Sequence, residues 1–188
     1  MYMGNINWKE LTERAYQNAV NHGWHEKAHS EYHYMMLVVT ELCEAVEADR
    51  KGKYAQRVMF EKNFDTPQIN SEEHWKFCFE TFIKDSVEDE LADAVIRLLD
   101  YSGLHDLYID DSQFTEEQYL ELSDLLKDHS FTDIIYIEIR MLSESNSFSA
   151  ILYYLFAIAY HYKIDLLWHI EQKMKYNEMR PYKHGKKY

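Results

Sequence analysis

Two short runs of acidic residues carry the strongest chemical signal in this chain. TELCEAVEA places Glu41 three residues before Glu44, and EDELADAVIRLLD places Glu90 three before Asp93. Residues at i and i+3 share a helix face, so each pair can aim two carboxylates at one point. Glu41 falls one turn from Val38 and Ala45, on the rim of an apolar stripe, and Glu90 lies likewise between Val87 and Ala94. Carboxylates leaning inward are costly unless paired or bound to cations. Two such helices packed antiparallel would gather four oxygen donors, a set that suits Mg²⁺ or Mn²⁺. Such pairs are also common on solvated helix faces, and Asp93 has Arg97 four residues on as an ion-pair partner. Glu47, Glu88 and Asp89 read as charges of the solvated face.

The C-terminal end has the opposite character. From Lys173 onward, lysine and arginine dominate against the single Glu178, although the whole chain has a formal net charge of −13. Lys173, Asn177 and Arg180 fall along one helical edge, followed by Lys183, His184, Gly185 and Lys186. Arginine and lysine are natural partners of phosphate oxygens, and Asn can both donate and accept. An acidic metal cage beside a cationic tail describes a polyphosphate site.

His25–His29 reads HEKAH, which on a helix would match a zinc protease motif. Gly23 breaks the helix just before it, the segment is polar, and no third ligand is evident. A di-iron carboxylate bundle would require Glu-x-x-His pairs, and neither Glu41 nor Glu90 has a histidine three residues on.

The ordered set of motifs resembles the all-α nucleotide pyrophosphohydrolases, the MazG-like group related to dimeric dUTPases. The signature of that group is ExxE on one helix and ExxD on the next, read here as Glu41–Glu44 and Glu90–Asp93. KMKYNEMRPYKHGKK is similar to the tail of close members at Lys173, Tyr176, Asn177, Arg180, His184, Gly185 and Lys186. The resemblance covers about residues 20–51, 85–103 and 163–188. It implies Mg²⁺-dependent hydrolysis (Mn²⁺ as an alternative) of a nucleoside triphosphate to monophosphate and pyrophosphate, as in clearing the nucleotide pool. Under it, Glu41, Glu44, Glu90 and Asp93 hold metal, and Glu41 or Glu44 activates the attacking water. Lys173, Arg180, Lys183 and Lys186 clamp pyrophosphate, Asn177 and His184 bind substrate, and Trp24 stacks on the base or packs in the core. The resemblance also implies a homodimer or homotetramer. The stretches near 53–84 and 104–162 look inserted and leave substrate and assembly open. The alternative is a non-catalytic nucleotide-binding or dimerising helical protein.

The elements that must hold these residues are helices. Gly (5) and Pro (2) are scarce, so segments run long without interruption. Capping signals start helices at Asn7, Ser30, Ser71, Asp85 with Glu88, and Thr115. Further helices are expected over about 132–144, 149–162 and 165–179. Gly23, the residue before Gly52, and Gly103 mark expected ends, and Gly52–Asn70, with Pro67 inside it, reads as a loop. The expectation is one all-α domain over 1–188, a MazG-like bundle with added helices. A charge of −13 argues against binding nucleic-acid polymers. No apolar run is long enough for a membrane span or a signal peptide. Cys43 and Cys78 read as buried free thiols, and the expected location is the cytoplasm.

Overall fold

The computed structural model describes residues 6–64, 71–112, 114–145 and 147–185, and among these every regular element is helical. In chain order they are α1 (Trp8–Asn21), α2 (Glu31–Arg50), α3 (Arg57–Phe64), α4 (Glu72–Phe82), α5 (Val87–His105), α6 (Glu116–Leu126), α7 (Phe131–Glu144), α8 (Phe148–His161) and α9 (Leu166–Glu178). A short 3-10 turn, Tyr182–Gly185, follows. No helix among the described residues is long and apolar enough to cross a membrane.

Local chemistry sets most of these boundaries. Asn7, Ser30, Ser71 and Thr115 each accept the backbone N–H three residues on, satisfying a donor left open at the helix start. Ser130 and Asp133 form a reciprocal capping box ahead of α7. The expected loop and one expected cap are corrected. The expected loop over 52–70 contains α3, a short helix whose one buried side chain is Phe60, while Pro67 lies outside the described residues. The cap of α5 is Ser86, one residue later than expected, with Asp85 in left-handed backbone at φ 57°.

α5 is the spine. It is buried against α1, α2, α8 and α9, and Val87, Leu91, Ala94, Val95, Leu98 and Leu99 are almost wholly withdrawn from solvent. Burial of such side chains stabilises by roughly 1.5–3 kcal/mol each. Gly103 does not end this helix, which runs on to His105 and closes at Asp106 with φ 52°. Gly103 instead lets α1 approach, since a Cβ there would lie 2.6 Å from Tyr16 Cβ.

Around the spine lie two further assemblies. α6, α7 and α8 join the same core, Tyr119 stacking between Tyr153 and Tyr160 at centroid distances of 5.3 and 5.5 Å. α3 and α4 make a smaller aromatic cluster of Phe60, Trp75 and Phe79 that docks on α9 through Tyr176, stacked on Phe79 at 4.6 Å. Cys78 is buried in that cluster, whereas Cys43 is exposed, contrary to its reading as a core thiol.

Candidate functional site

α2 and α5 pack face to face, and their acidic pairs meet. One carboxylate oxygen each from Glu41, Glu90 and Asp93 lies within 4.8 Å of the others. They line a cavity of about 210 Å³, whose wall also includes Glu44, Trp24, Lys173, Asn177 and Arg180. Glu44 is exposed and stands outside the close triad. The sequence-level candidates from the two acidic helices, the connector and α9 therefore share one cavity. Among the remaining tail residues, Lys183 turns to Glu26, with Nζ 2.8 Å from Oε2. His184 belongs to the turn Tyr182–Gly185, and Lys186 lies outside the described residues.

Ion pairs thread the triad. Arg97 Nε and Nη2 are each 3.0 Å from Glu41 Oε1, so Arg97 bridges to α2 and not to Asp93 on its own helix. Lys173 Nζ sits 2.7 Å from Asp89 Oδ2 and 2.8 Å from Asp93 Oδ2. Its ammonium thus engages two carboxylates in the cage, whereas the sequence reading assigned it to phosphate. Asp89 is the larger surprise, being only 1% exposed where a solvated charge was expected. The cap register accounts for it. With Ser86 as cap, Asp89 faces back into the first turn, where Oδ2 also accepts the Asp85 N–H at 2.9 Å. Its Oδ1 is buried without a hydrogen-bond partner, as is Oδ1 of Asn177.

Electrostatics follow from this crowding. Burial, reinforced by Asp93 and opposed by Arg97, raises the Glu41 carboxyl to about 6. Burial also raises Glu90 to about 8, with Asp89, Asp93 and Glu41 adding to the effect against the pull of Lys173. Asp89 is pushed up by burial as well. For Asp93 burial acts upward too, but Lys173, Arg97 and Arg180 outweigh it and hold the carboxyl below its ordinary value. Lys173 is kept charged because Asp89, Asp93 and Glu90 outweigh its desolvation. Six carboxylates against four cations line the cavity (Glu41, Glu44, Asp85, Glu90, Asp93 and Asp100; Lys84, Arg97, Lys173 and Arg180). That imbalance, with three converging oxygens, fits a hard divalent cation such as Mg²⁺ or Mn²⁺.

Several lining residues escaped the sequence reading. Lys84 and Asp85 sit in the turn before α5, where no periodicity marks them. Arg97 and Asp100 do continue the spacing of Glu90 and Asp93 along α5, and that stripe was visible. His22 ties the tail to α1, Nδ1 lying 2.8 Å from Asn18 O and Nε2 3.0 Å from Arg180 O. The HEKAH segment is non-helical, and its His25 reaches Asp100, with Nε2 2.7 Å from Oδ1. Compared with family models, characterised proteins and solved structures, the chain matches none.

Proposed function

We propose that this protein is a divalent-metal-dependent hydrolase that cleaves a nucleoside triphosphate to the monophosphate and pyrophosphate. The observation that carries the reading is the convergence of Glu41, Glu90 and Asp93 within 4.8 Å in a cavity that also holds Lys84 and Arg180. The metal and phosphate chemistry rests on this geometry. The position of the broken bond rests on the resemblance of the Glu41–Glu44, Glu90–Asp93 and tail motifs to the MazG-like pyrophosphohydrolases.

Glu41, Glu90 and Asp93 would hold Mg²⁺, which when bound would supply Lewis-acid stabilisation of charge on the phosphate oxygens. Glu44, on the rim and outside the triad, orients a water and accepts its proton as the oxygen attacks the α-phosphorus. The bond from that phosphorus to the bridging oxygen breaks, and pyrophosphate leaves. Arg180 and Lys84 hold the leaving oxygens by charge-assisted hydrogen bonds. Lys173 acts indirectly, holding Asp89 in place and keeping Asp93 ionised. Asn177 offers its buried amide to the ligand.

The ammonium of Lys173 inside the cage favours one second reading, in which the charges neutralise one another and the protein binds nucleotide without cleaving it. Incubation with a panel of ribo- and deoxynucleoside triphosphates and Mg²⁺, followed by a pyrophosphate assay, separates the two. Release that requires Mg²⁺ and is lost in Glu90→Gln supports hydrolysis. Nucleotide binding with no release from any member of the panel supports the second reading.

A further inference from the structure

The cavity is chemically two-ended. α5 displays Glu90, Asp93, Arg97 and Asp100 in order along one side, and seven residues separate Asp93 from Asp100, about 10.5 Å along the axis. The far end differs from the metal end. There α1, drawn close through the Tyr16–Gly103 contact, lines the cavity with Ala15, Asn18 and Ala19, and α5 adds Ile96. Trp24 lines this cavity and also a smaller adjoining one, as do Arg97 and Asp100. A slot bounded by methyls and an indole takes a flat ring.

Asp100 is the buried carboxylate at this end. Its side chain is only 13% exposed, and His25, 10% exposed, holds Oδ1 at 2.7 Å. His25 is packed in turn against Tyr16 and Tyr34, with centroids at 5.3 and 6.2 Å. A carboxylate buried this far is costly unless it is given hydrogen bonds, and its second oxygen remains for a ligand. Ionised, it only accepts, so the group it reads must be a donor.

We propose that Asp100, positioned by His25, selects nucleotides whose base carries an exocyclic amine (cytosine, adenine or guanine) over uracil and thymine. This rests on the reading of the cavity as a nucleotide site. Uracil and thymine present two carbonyl oxygens flanking a single N–H, and those oxygens meet the carboxylate with repulsion. An amine presents N–H directly, the pairing by which Asp and Glu recognise cytosine N4.

Calorimetric titration of the full chain in Mg²⁺ with CMP, AMP, GMP, UMP and TMP tests this directly. Amine-bearing nucleotides are expected to bind about tenfold more tightly or better, the discrimination that one hydrogen bond to a charged group provides. Asp100→Asn, whose amide also donates, should erase the preference while inorganic pyrophosphate binds as before. His25→Ala should weaken the preference, and His25→Gln, which restores a donor, should recover part of it. Equal affinity for all five, no binding of any, or a preference that survives in Asp100→Asn overturns the proposal. The wild-type ranking decides the matter even where a variant does not fold. Pyrophosphate release is scored separately. Release without base preference overturns the base subsite alone, and amine-selective binding without release overturns hydrolysis alone.

Discussion

Glu44 and Glu90 differ in exposure and neighbours, and that difference assigns them different failures. Glu90 is buried and surrounded by Asp89, Asp93 and Glu41, so under the proposed function Glu90→Gln removes one anionic metal ligand. Both Mg²⁺ affinity and turnover should then fall. Glu44 sits on the rim, so Glu44→Gln should leave Mg²⁺ affinity intact and lower pyrophosphate release by about 10²-fold or more, the usual worth of a positioned base. Metal titration beside single-turnover kinetics tells the two apart, and equal loss of metal affinity in both variants would contradict the assignment. Another buried acid lies outside the site. Glu138 on α7 is fully buried, with neither oxygen hydrogen-bonded, and burial raises its carboxyl well above 4.5. Above pH 4.5 the unfolded chain has released this proton while the folded chain retains it. Stability contributed at low pH is therefore lost as pH rises, at up to about 1.4 kcal/mol per unit. Glu138→Gln should match wild type near pH 4 and be more stable at pH 8, by about 1–3 kcal/mol. Urea denaturation at the two pH values measures the difference, and an equal offset at both would refute the account.

Helices set how far single residues can be trusted. The caps at Asn7, Ser30, Ser71 and Thr115 were legible because a side-chain oxygen and the N–H three residues on make a local bond. The facing of α2 on α5 was legible from the apolar stripes flanking Glu41 and Glu90. α3 was not, since Val58 and Met59 are exposed and Phe60 alone is buried, leaving no stripe to read. Asp89 was misjudged for a related reason. Ser86 is the cap because its Oγ accepts the Asp89 N–H at 3.2 Å, and the Asp89 carboxylate is then buried against Lys173 arriving from α9, eighty-four positions away. Gly103 shows the same dependence on distant chain. Read as a stop, it is a contact point where α1 crosses α5. Alanine there gains about 1 kcal/mol in helix propensity, but its Cβ would meet Tyr16 Cβ at 2.6 Å, an atom that moves only with its backbone. Overpacking of this kind costs about 1–3 kcal/mol. Gly103→Ala is expected to lower stability on balance and to loosen the slot between α1 and α5. A melting temperature equal to or above that of wild type would show that the helices can part freely.

At the scale of the whole molecule, charge is the governing quantity. The chain carries a net charge of −13, and folding brings α2, α5 and α9 together around a cavity with more carboxylates than cations. Self-repulsion of this kind opposes the compact state. Any salt relieves the part that acts across the surface, because the Debye length is about 10 Å at 0.1 M. Screening reaches buried groups far less, so the crowding that raises Glu41 to about 6 and Glu90 to about 8 persists in NaCl. A cation bound between their oxygens removes it directly and stabilises by mass action, about 2.7 kcal/mol at one hundred times its Kd. For a chain of this length each kcal/mol shifts the melting temperature by about 2–4 °C, so saturating Mg²⁺ should raise it by roughly 5–10 °C. NaCl at matched ionic strength should give only a small fraction of that increase. Glu90→Gln separates the two contributions, because it relieves crowding while removing an anionic group that the proposed function gives to the metal. Its metal-free form is expected to melt at or above the wild-type temperature, and the increment specific to Mg²⁺ should disappear. Identical shifts from Mg²⁺ and NaCl, or a full Mg²⁺ increment in Glu90→Gln, would mean that the cage is balanced by Lys173 and Arg97 alone.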